Sequence, residues 1–184
     1  MRSRRNPPEE PSGPPDPAAL REYALRLLAM QSRSETEIER KLARRGADQD
    51  TIDALVADFR QRGWLDDNAL AERWVESRGV SRGRNALSFE LRRRGLDPTD
   101  ALAERTDDDE RAAAWNAATR KAGDPPTGRG QAGRLKLAAY LQRRGFSYGV
   151  VRTVLDKTIV EPEPPADSAD PDEIDDTEEP WESD

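Results

Sequence analysis

Three times along the chain, at intervals of about 50 residues, an aliphatic residue is followed four positions later by Leu-x-Arg-Arg-Gly. The copies run from Ile38 to Leu42-Ala43-Arg44-Arg45-Gly46, from Leu87 to Leu91-Arg92-Arg93-Arg94-Gly95, and from Leu137 to Leu141-Gln142-Arg143-Arg144-Gly145. Such a period is the mark of one supersecondary unit repeated in tandem, and it narrows the fold more than any single motif. Beyond the glycine, Ile52, Leu55 and Val56 of the first copy correspond to Val151, Val154 and Leu155 of the third. The middle copy has Ala101, Glu104 and Arg105 there, which predicts a shorter or shifted helix.

Inside each unit the apolar residues keep helical spacing. Leu20, Tyr23, Ala24, Leu27 and Leu28 form one stripe, Ile52, Leu55, Val56 and Phe59 another, and alternating strand-like patterns are missing. Ser34 with Glu37 reads as a capping box, and Asp97-Pro98 as a capping acid before a first-turn proline. Gly46, Gly63, Gly95 and Gly145 stand where helices should stop. The expectation is an all-α fold of nine helices in three three-helix repeats, at 18–64, 65–106 and 107–160. A unit this small cannot bury its apolar face alone, so the repeats should stack into an elongated, curved array. With only 34% apolar and 36% charged residues, the composition suits such small units better than one large core. Residues 1–17 and 161–184 read as disordered tails. Trp181, alone in the acidic tail, is either a chance aromatic or a short contact motif.

The net charge of −7 conceals a division along the chain. Residues 161–184 hold 12 acids and no Lys or Arg, whereas 18–160 carry a balance of +5, which points to an anionic partner for the body. Cysteine and histidine are absent, which removes thiolate nucleophiles, imidazole bases, disulfides and zinc sites built on either residue. No segment approaches the roughly 18 apolar residues of a membrane helix, and no apolar run follows the first arginines as in a secretory signal. The expectation is a soluble cytoplasmic protein without cofactor or metal.

Each motif has a structural and a functional reading. Arginines in a last helical turn complement the helix dipole, and the glycine after them supplies the left-handed cap. Repeated in register, the same arginines would form a ladder suited to phosphates or acidic protein surface. Arg78, Arg82 and Arg84 around Gly79 and Gly83 serve either a tight helix–helix turn or a close approach to phosphate. Gly128-Arg129-Gly130-Gln131-Ala132-Gly133 spells G-x-G-x-x-G, but a proline-rich loop rather than a strand precedes it, so it reads as a flexible linker. Asp66-Asp67 and Asp107-Asp108-Asp109 fit capping better than metal binding. Trp64, Trp74, Trp115, Tyr140 and Phe146 belong to cores or seams more readily than to base-stacking platforms.

Taken in order, these segments resemble the RecX family of recombinase regulators. The likeness rests on Ser34-Glu35-Thr36-Glu37 leading to Leu42 and Gly46, then Gly63-Trp64-Leu65-Asp66-Asp67 with Ala71. It continues through Gly83 to Leu91-Arg92-Arg93-Arg94-Gly95 and ends in Leu141-Gln142-Arg143-Arg144-Gly145-Phe146-Ser147, so that it covers about 18–160. Trp64 and Leu70 stand where the family often has Tyr and Phe. The resemblance implies three three-helix repeats and a monomer that is not an enzyme. Such a protein binds the RecA recombinase filament on single-stranded DNA and restrains its ATPase and strand exchange, with weak direct DNA binding as an accessory. Charge and register nominate Arg44, Arg45, Arg82, Arg84, Arg92, Arg93, Arg94, Arg143 and Arg144 as the residues facing filament and nucleic acid. The rival expectation is a free-standing helical DNA-binding module.

Overall fold

The computed structural model describes residues 15–124 and 126–161. The first repeat packs α1 (Pro17–Met30), α2 (Glu35–Ala43) and α3 (Gln49–Gln61). The second has α4 (Asp67–Gly79), α5 (Arg84–Arg93) and a single 3-10 turn at Asp100–Leu102; the third has α6 (Asp107–Ala122), α7 (Gly130–Arg143) and α8 (Tyr148–Asp156). The fold is therefore all-α in three tandem three-helix units, the third helix of the middle unit being one 3-10 turn. Eight α-helices rather than nine occur among the described residues. The cause lies in the middle copy's Ala101, Glu104 and Arg105, which supply no apolar stripe.

Local chemistry sets the helix ends. Ser34 and Glu37 form a reciprocal capping box on α2, and Thr106 with Asp109 forms another on α6. Asp66 caps α4 by accepting from the Ala69 amide at 2.9 Å. Asp97 instead accepts from the Thr99 amide and hydroxyl and closes a local turn, so it does not cap a helix as expected. Gly46, Gly63, Gly95 and Gly145 all follow helices with φ between 70° and 84°.

A pair of three-residue strands, which leave no signal in the sequence, is added to the all-α fold. Thr127–Arg129 (β1) runs parallel to Ile159–Glu161 (β2), with Thr127 opposite Ile159 and Arg129 opposite Glu161. Three residues are too few for alternation to register in a sequence, and the Gly128–Gly133 segment is thereby strand and helix start rather than free linker. Helix α1 begins at Pro17 and β2 takes in Glu161, so both expected tails yield some residues to the fold. The remainder of those tails, Trp181 included, lies outside the described residues.

Each repeat has its own apolar cluster. The first contains Leu20, Ile38, Leu42, Ile52, Phe59 and Leu65; the second is small, with Leu70, Ala71, Leu91 and Leu96; the third contains Ala114, Ala118, Leu137, Leu141, Phe146 and Val154. The three small cores are joined through polar seams, as a composition poor in apolar residues allows.

Candidate functional site

Both seams obey one rule: the Arg-Gly end of a repeat's second helix meets the start of the preceding repeat's second helix. At the first seam the Ser34 hydroxyl donates to the Arg94 carbonyl. The Arg94 guanidinium donates to both Glu37 carboxylate oxygens at 2.9 Å and to the Ser32 carbonyl at 3.0 Å. This fork is 11% exposed and lies 4.6 Å from the centre of the Trp74 ring. Burial pushes the Glu37 carboxyl up, but the hydrogen bonds from Arg94 and the Ser34 amide, with the charges of Arg94 and Arg33, outweigh it and hold Glu37 below its ordinary range. Nearby, Asp67 accepts from the Glu35 amide at 3.0 Å. Burial, with the Glu35 charge adding, lifts the Asp67 carboxyl above its ordinary range against that hydrogen bond.

At the second seam the backbones themselves touch. The Gly83 amide donates to the Arg144 carbonyl at 2.9 Å and the Asn85 amide to the Gly145 carbonyl at 3.3 Å. A methyl at Gly83 would overlap the Gly145 carbonyl, and one at Gly145 would overlap Ala86. Glu110 of α6, buried to 5% exposure, accepts from the Arg84 amide and from the Arg105 guanidinium. Arg105 also donates to the carbonyls of Gly79 and Arg82, and the Arg84 side chain donates to those of Leu102 and Arg105.

The nominated arginines therefore fall into different places. Arg84 and Arg94 are spent inside the seams, and Arg82 pairs with Glu90. The residue two before the repeat glycine is exposed every time: Arg44, Arg93 and Arg143, with Arg92 exposed beside Arg93. None of these four pairs with an acid among the described residues. The residue one before the glycine lies over an aromatic ring in every repeat: Arg45 over Tyr23 at 4.0 Å, Arg94 over Trp74, and Arg144 over Tyr140 at 5.1 Å. The structure thus repeats an outward cation at one register position and a stacked one at the next. Sequence reasoning missed Arg105 and Glu110; only the departure of the middle copy at Arg105 hinted at them.

Among the described residues no three His, Cys, Asp or Glu side chains gather as a metal site, and no helix is long and apolar enough to cross a membrane. Fold and surface together define a helical-repeat protein that presents a recurring cationic position. RecX family models match residues 21–59 as the first three-helix domain, 66–103 as the second and 108–155 as the third, and the chain belongs to the RecX family. It is 35% identical over 172 residues to the regulatory protein RecX of Mycobacterium sp. strain KMS, covering 84% of this chain and 93% of that one. It is 37% identical over 139 residues to the regulatory protein RecX of Halorhodospira halophila, covering 73% and 84% respectively. The crystal structure of RecX from Lactobacillus salivarius superposes with a TM-score of 0.61 at 23% identity, over 77% of this chain and 95% of that one, and shares the fold. The family is one of regulatory proteins rather than enzymes, and a regulatory role goes with membership.

Proposed function

We propose that this chain works, as a cytoplasmic monomer and without a catalytic step, by binding a RecA-type recombinase filament on single-stranded DNA and restraining its ATPase and strand exchange. The observation that carries the reading is the outward cation recurring at Arg44, Arg93 and Arg143 on a row of three units. A filament offers acidic protein surface and phosphates at regular intervals, and a repeated cation on a stacked array is a matching geometry. Arg45, Arg92 and Arg144 flank the ladder and extend the cationic face. Arg94 acts from behind it, tying the second repeat to the first through Glu37, while Arg82 and Arg84 brace the second repeat internally through Glu90, Leu102 and Arg105.

The test is recombinase ATPase on preformed single-stranded DNA filaments, with binding to naked DNA measured alongside. Inhibition is expected at concentrations that leave naked DNA largely unbound. Unchanged turnover beside tight binding to DNA alone would overturn the reading in favour of a free-standing DNA-binding module.

A further inference from the structure

A groove of about 360 Å³ opens between α6 and α8 of the third repeat. The half-buried Trp115 and buried Val154 line its floor, and the exposed Arg111, Ala112, Asn116 and Lys157 stand at its rim. Its size lies toward the lower end of the roughly 300–1,000 Å³ typical of ligand pockets. The rim is cationic on balance. Arg111 is shared with Asp108, and Asp156 is engaged by Arg134 and Arg152, while Lys157 is exposed and pairs with none of the described side chains.

Immediately after Lys157 the chain forms β2, and the residues that follow carry an unusual composition. They are rich in Asp and Glu, have no Lys or Arg, and contain, besides Ile174, a single aromatic late in the segment, in Glu178-Glu179-Pro180-Trp181-Glu182. About 20 residues separate β2 from Trp181, a reach of up to roughly 65 Å when extended, which is ample for a return to α8. We propose that Trp181 seats in the α6–α8 groove, with its flanking glutamates against Arg111 and Lys157. An indole is the side chain best suited to an apolar floor with hydrogen-bonding groups at its edge, and it anchors interfaces out of proportion to its number. The acids on both sides of it are opposite in sign to the rim and so complement it. This seat gives the one aromatic of the acidic segment a role and lays a block of negative charge over the third repeat.

The chain has no cysteine, so a single Ser183→Cys carries a nitroxide without other changes. Amide resonances of the full chain are then recorded with the label oxidised and reduced. The seat predicts strong broadening confined to residues 112–116 and 153–158, with the first repeat's 38–45 spared. Adding Trp181→Ala should abolish the broadening, and the pair Arg111→Glu and Lys157→Glu should weaken it while the remaining spectrum persists. Broadening that is diffuse, or that survives Trp181→Ala, overturns the proposal. So does the same broadening in a mixture of labelled unenriched chains with enriched unlabelled ones, which would make a second copy the occupant.

Discussion

At the residue scale, the chemistry concentrates on Arg94 and the acids it faces. Arg94 is one of three arginines in a row, yet it alone forks onto a carboxylate from another repeat. Removing it leaves Glu37 partly buried without its cation, so Arg94→Ala should lower stability by about 2–4 kcal/mol, read from the urea midpoint. Arg93→Ala, one position away and exposed, should change the midpoint little. The two acids of this seam respond oppositely to pH. Glu37 is depressed below its ordinary 4.5, so its contribution is fully present above that pH and is lost as pH falls through the lower folded value. Asp67 is raised above 3.8, so the folded state is favoured below that pH and the advantage is lost as pH rises through the folded value. Asp67→Asn retains an oxygen for the Glu35 amide and removes a charge held beside Glu35. It should therefore raise the urea midpoint at pH 7, and the gain should shrink when the titration is repeated near pH 3.5.

At the scale of elements, two glycines of the third repeat separate local from tertiary demands. Gly145 has a φ of 84° and lies against Ala86 of α5, whereas Gly149 sits in the first turn of α8 with open space around the missing side chain. Gly145→Ala should cost about 2 kcal/mol or more through strain and overlap. Gly149→Ala should be neutral or stabilise by up to about 1 kcal/mol, because alanine favours the helix; thermal unfolding of the two variants checks both. The contrast also explains what a reader of the sequence could see. Helix stops at Gly95 and Gly145 are legible because caps are local, and the weak third helix of the middle unit is legible in Glu104 and Arg105. That the same glycines are docking points is not legible, since their partners Thr36 and Ala86 lie in another repeat. The same holds for the arginines. Arg44 and Arg93 fit a ladder and Arg94 does not, and only the position of Glu37, 57 residues earlier, tells them apart. The parallel pair of β1 and β2 escaped notice for a different reason: a three-residue strand has no period to detect.

At the scale of the whole molecule, polar seams between separate small cores turn the chain into a row of units. Their mutual register is held by a few side chains at the first seam and by backbone hydrogen bonds with Glu110 at the second. Binding by an outward ladder needs that register, because a cation displaced with its repeat no longer meets the next phosphate or carboxylate. Two kinds of arginine loss should then look alike in a filament-binding assay and differ in a stability assay. Arg44→Glu, Arg93→Glu and Arg143→Glu together alter exposed residues with no acid partner among the described residues, so the unfolding midpoint should move by about 0.5 kcal/mol or less per site. Filament binding should fall steeply, and if the three meet phosphates of single-stranded DNA, the slope of log affinity against log salt should shrink by roughly 2. Arg94→Glu should also abolish binding, but with a large loss of stability, because it sets two carboxylates face to face at a seam. A folded triple variant that binds the filament with unchanged affinity and unchanged salt slope would remove the ladder from the interface. The seams would then be left as the reason these arginine triplets recur.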